Sequence, residues 1–161
     1  MNDAHFHLTV NHLPVIIPAI ALLVLLGGLV SKSEAVKRTA YFLFILGSLS
    51  TFVAFSSGEG AEEVMEKLGS DHHLIHEHEE AAETFALFSH ALGLVSILGL
   101  WASYKRKKIS GIVAIIIIAI AAGLLWFGSI TATSGGEISH PEIRNDNSYA
   151  GSTTLEEHDD H

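Results

Sequence analysis

The sequence predicts an all-α fold: an integral membrane four-helix bundle with both termini on the outer (periplasmic) side. Three observations carry that expectation. Four apolar runs are each long enough to cross a hydrocarbon core roughly 30 Å thick. Hydrophobic residues make up 48% of the 161, and the mean hydropathy is +0.38, too apolar for a soluble domain of this size. Basic residues gather in two short turns, which puts those turns on one side of the bundle and the other loops opposite.

The first span is Leu13–Val30, an uncharged run of 18 residues. Pro14 suits a first helical turn, and Pro18 should kink the interior. A polar loop, SKSEAVKR, separates it from the second span, expected over 39–57. Residues 58–80 form a surface loop in which Ala61–Leu68 can make a short amphipathic helix. The third span covers 81–104, with its helix reaching back to about His72 and with Trp101 and Tyr104 as interfacial anchors. After the basic turn KRKK comes the fourth span, 109–130. The bundle is thus expected over 1–135, and 136–161 as an acidic, largely flexible outer tail. A weak two-fold pattern is present, two helical hairpins each with a basic turn; alone it supports nothing further.

Seven of the nine Lys and Arg lie in 31–38 and 105–108, and the positive-inside rule makes that side cytoplasmic. The expected location is a bacterial inner (cytoplasmic) membrane, with the lipid bilayer as the first partner. Of 18 acidic residues only Glu34 falls inside, and all 11 His fall on the outer side or in the outer part of a span. The first residues carry no basic stretch, so no signal peptide is expected.

Composition excludes several chemistries. No cysteine is present, so disulfides, thiolate metal sites and covalent c-type haem attachment are ruled out. A net charge of −9 disfavours nucleic acid as a partner. No nucleophile–base pair or phosphate loop is visible, and no catalytic residue is assigned.

What remains is histidine. On a helix, His72, His76, Glu80, Glu83 and His90 share one narrow stripe descending into the third span. By helical rise, His12 stands near the outer interface and His90 roughly 22 Å from Lys105, inside the outer leaflet. Spans one and three run in the same direction, so His12 and His90 are candidate axial ligands of a b-type haem, which takes two imidazoles in a bundle slot. His7, His76 and His140 are the substitutes. Glu83 is a further candidate, as an orienter of a ligating imidazole. The bland alternative for His90 is an interhelical hydrogen bond to Ser or Thr. The upper stripe, His72, His76, Glu80 and Glu83, has i, i+4 spacing suited to a divalent metal, and equally reads as the wet, acidic start of a helix. Ionisable residues are missing from the inner half, which argues against a through-pore.

The opening HLTVNHLPVIIPAIALL, with His7, His12 and Pro14, resembles the bacterial membrane-protein family called domain of unknown function 2231. So does Gly135-Gly136-Glu137 with His140 after span four, although Ile-Ser-His-Pro stands where that family has an aliphatic-Tyr-x-His-Gly stretch. The resemblance covers about 5–143. It implies a four-helix membrane module, sometimes fused to cytochrome-like domains, and hence redox or haem association. The expected function is electron transfer by a b-type haem or related redox metal at the outer face, alongside other membrane or periplasmic redox subunits. The alternatives are a cofactor-free accessory subunit and a divalent-metal binder.

Overall fold

The computed structural model describes residues 2–105 and 108–144. Six α-helices follow in order: α1 (Asp3–Val10), α2 (Leu13–Val30), α3 (Glu34–Ser56), α4 (Gly58–Lys67), α5 (His72–Tyr104) and α6 (Ser110–Ser139), then a 3₁₀ turn at Pro141–Ile143. No strand occurs among the described residues. Four helical stretches, Asp3–Val30, Glu34–Lys67, His72–Tyr104 and Ser110–Ser139, are long and apolar enough to cross a membrane.

Local chemistry sets the boundaries. The Asn2, Ser33 and Asp71 side chains accept backbone N–H groups at the starts of α1, α3 and α5, supplying partners that a first turn lacks. Gly69, at φ +83°, takes the left-handed conformation that ends α4. Four helices depart from the expected bounds, α4 by starting at Gly58 rather than Ala61. The Ser33 cap starts α3 at Glu34 rather than 39. The polar N-terminus forms α1 because Asn2 accepts from the His5 amide at 2.9 Å. And α6 continues to Ser139, past the expected end at 130, because its polar residues find partners: Thr131 Oγ1 donates to the carbonyls of Ala81 and Phe127, each at 3.1 Å. The expected tail therefore begins inside a helix. Its remainder, 145–161, with His158 and His161, lies outside the described residues, as do Arg106 and Lys107 of the basic turn.

Short connections make chain neighbours antiparallel. Helix α3 packs on both α2 and α5, α5 packs on α6, and α2 closes on α6. Helices α2 and α5 therefore stand diagonally. One end carries the two basic turns. The other carries the first and last described residues, α1, α4 and, among the described residues, the histidines. Helix α1 lies against α4, with Asp3 over Gly60.

The interior packs Leu25, Phe44, Leu92, Ile117 and Leu124 among small residues, and many other large apolar side chains point outward. Leu23, Phe52, Leu94 and Ile115 are each at least 66% exposed, the reverse of a soluble core and the pattern lipid contact demands. The Pro18 ring fills the notch at Gly47, where a Cβ would meet its Cγ at 2.8 Å. Thr51 and Ser89 are sealed in the α3–α5 interface and share a 2.7 Å hydrogen bond.

Candidate functional site

At the histidine end, two imidazoles are built into the bundle in matching ways. His7 sits on α1, and its Nδ1 meets the end of α3: the Ala54 carbonyl at 3.2 Å and Ser57 Oγ at 2.9 Å. His78 sits on the first turns of α5, and its Nδ1 meets the end of α6: the Thr131 carbonyl at 3.1 Å and Ser134 Oγ at 3.0 Å. A carbonyl only accepts, so Nδ1 in each ring must carry the proton. That leaves Nε2 with its lone pair free in the neutral ring, the tautomer of a metal-ligating histidine braced by a backbone carbonyl. Both rings are half-buried. A glycine adjoins each, and at His78 it is needed for room. A Cβ on Gly135 would strike His78 Cε1 at 2.9 Å, and one on Gly58 would touch His7 Cε1 at 3.9 Å. One turn beyond His7, the Asn11 Oδ1 atom is buried with no hydrogen-bond partner among the described residues.

The other histidines are placed differently. His12 stands at the start of α2 with its side chain exposed. His90 is half-buried on α5, and its Nδ1 bonds Ser48 Oγ of α3 at 3.1 Å. These two candidates thus ride on diagonal helices. His140 is exposed and bonds Glu142 at 3.0 Å. The Glu142 carboxyl is held below the usual carboxylate range, first by its own backbone amide and then by that imidazole.

The stripe on α5 forms a rim of exposed pairs. His76 lies 3.4 Å from Glu80 and 3.8 Å from Glu79, while His72 turns to Glu66 of α4 at 3.0 Å. Glu83 is exposed. Helical spacing thus brings His76 and Glu80 together but does not gather His72, His76, Glu80 and Glu83 into one set. Among the described residues no group of three His, Asp or Glu forms a candidate metal site. A tetrahedral zinc centre needs three or four such ligands, whereas a haem iron needs only two axial ones, which a pair of imidazoles supplies.

The chain matches no family model, and no curated protein or solved structure is significantly similar to it. The site therefore has to be read from its own chemistry. His78 is the residue that sequence reasoning passed over. Within HEHEE it looks like part of a wet helix start, and only its partners on α6 distinguish it. The available signal is the His-x-His spacing that it shares with the N-terminus, His5-Phe6-His7 and His76-Glu77-His78.

Proposed function

We propose that this chain is a four-span module of a bacterial inner membrane, both termini outside, that holds a b-type haem or related redox metal at its outer face and passes electrons to neighbouring redox subunits. The observation that carries the reading is the matched bracing of His7 and His78, two half-buried imidazoles each held at Nδ1 by a backbone carbonyl and a serine hydroxyl of another helix's end. The likeness of the His7–Pro14 opening to domain of unknown function 2231 supports it. A haem bound there supplies one-electron transfer. The chain's own part is to fix the imidazoles, keep them neutral and shield them beside α3 and α6. Since the histidines gather at one end, a second carrier from a partner subunit or a quinone has to complete any path across the bilayer.

The test is a reduced-minus-oxidised optical spectrum of the intact protein, purified from haem-replete cells in mild detergent. A b-type difference spectrum in near-stoichiometric amount is expected. Its absence, with no redox metal by elemental analysis, overturns the reading in favour of a cofactor-free accessory subunit. One observation favours that second reading: His90, the deepest histidine, has its Nδ1 satisfied by Ser48, as a purely helix-fixing residue would.

A further inference from the structure

We infer that the basic end of the bundle binds the headgroup phosphate of an anionic phospholipid, seated at the α3–α5 seam against Arg38 and Lys105, with Lys32 and Lys108 adding to the positive field around it.

Charge is the first observation. Among the described residues this end carries Lys32, Lys37, Arg38, Lys105 and Lys108 against a single carboxylate, Glu34. That carboxylate is already occupied: it pairs with Lys37 and accepts from the Ser103 hydroxyl at 2.7 Å. Lys32, Lys105 and Lys108 are exposed and form no ion pair among the described residues. Lys32 stands just past the end of α2 at φ 53°, the left-handed conformation for which helix ends favour glycine. The backbone is held there by a residue it does not favour, and that residue brings a charge to the membrane surface.

Geometry is the second. Orienting a span needs only charge beside the membrane, but Arg38 lies within α3 and its guanidinium is fixed in place. It donates to the Ser103 hydroxyl at 3.0 Å and to the Ser103 carbonyl at 3.2 Å, and it lies 4.2 Å over the Tyr104 ring. These partners are neutral, so they leave its charge in place, and its Nη1 arm makes no bond among the described residues. A planar guanidinium with an open arm suits a phosphate oxygen. The same stack joins two outward helix faces. Tyr104 shares its face of α5 with exposed Trp101 and Ile97, and Arg38 shares its face of α3 with exposed Phe42. Lys105 follows directly on Tyr104. A phospholipid in this seam sets its phosphate against Arg38 and Lys105 and its acyl chains along Phe42 and Ile97, with the aromatic rings at the level between. A free phosphate ion would use only the first of these contacts.

The experiment is quenching of Trp101 fluorescence in the full-length chain carrying Trp126→Phe, which leaves one tryptophan. The protein is placed in phosphatidylcholine vesicles containing a small fraction of brominated phosphatidylglycerol or, in parallel, the same fraction of brominated phosphatidylcholine. Phosphatidylglycerol is expected to quench several-fold more. Lys105→Gln, at an exposed side chain, should weaken that preference about fivefold, the effect of one charge at the membrane surface. Arg38→Gln should abolish it, and Lys105→Gln keeps the test decisive if the Arg38 variant fails to fold. Lys67→Gln, at the opposite end, should leave it unchanged. Equal quenching by the two lipids overturns the proposal. So does a preference that Lys105→Gln leaves intact, or one that Lys67→Gln weakens equally. A preference abolished by excess inorganic phosphate at constant ionic strength overturns the lipid as ligand and assigns the site to a free anion.

Discussion

Ser48 and His90 meet across α3 and α5 at 3.1 Å, and Gly93, three residues beyond His90, leaves the space in which they do so. A Cβ on Gly93 would stand 2.6 Å from both Cβ and Oγ of Ser48. Small residues at such crossings let two backbones approach, and the hydrogen bond follows from the approach.

Gly93→Ala is therefore expected to destabilise the bundle by about 1–3 kcal/mol, the range for overpacking a filled interface. Thermal unfolding in detergent gives the comparison. A variant as stable as wild type would mean that α3 and α5 are not in this close contact.

Thr51 and Ser89 form another polar contact of that interface, and Thr51 Oγ1 also reaches the Gly47 carbonyl at 3.1 Å. Ser89→Ala leaves Thr51 this second partner, so the loss should be modest, about 0.5–1.5 kcal/mol. A double-mutant cycle with Thr51→Val should return a coupling of roughly 0.6 kcal/mol, typical of hydroxyl pairs between membrane helices. Additive losses would mean that the bond contributes nothing.

Gly135 and Gly58 occupy matching places but differ in clearance, 2.9 Å against 3.9 Å to the imidazole each adjoins. Gly135→Ala has to push His78 off Thr131 and Ser134, at a cost of about 1–2 kcal/mol. Gly58→Ala makes an ordinary contact and should be neutral. Melting curves of the two variants decide it, and equal effects would contradict the packing around His78.

At the basic end, Arg38 uses both arms of its guanidinium on Ser103, donating to Oγ at 3.0 Å and to the carbonyl at 3.2 Å, and lies 4.2 Å over the Tyr104 ring. Ser103 in turn donates to Glu34 at 2.7 Å, and Glu34 also pairs with Lys37. A lysine lacks the planar fork, so Arg38→Lys should lose about 1 kcal/mol despite keeping the charge. Unchanged stability would show that charge alone acts there.

Orientation is testable because the chain has no cysteine of its own. A single cysteine at Glu59 should react with a membrane-impermeant maleimide in cells whose outer membrane has been made permeable. One at Lys108 should react only after the inner membrane is broken. The reverse labelling would invert the proposed topology.

Hydropathy is a local property, so four apolar helices, their order and the two basic turns could be read residue by residue from the chain. The cap at Ser33 and the hydroxyl-bonded extension of α6 shifted only boundaries. The histidine-rich end was legible too, because charge and polarity segregate along the sequence. Which histidines are braced by the ends of other helices was not. His12 and His90 stand out by depth, yet the fold places their helices diagonally and gives His90 to Ser48. His78 is hidden among acidic neighbours and becomes distinctive only when Thr131 and Ser134, more than fifty residues away, brace its ring as Ala54 and Ser57 brace that of His7. The sequence by itself determined which segments are helical and which end gathers imidazoles. Only the tertiary structure decided which imidazoles are held, because a braced ring depends on a carbonyl contributed by another helix.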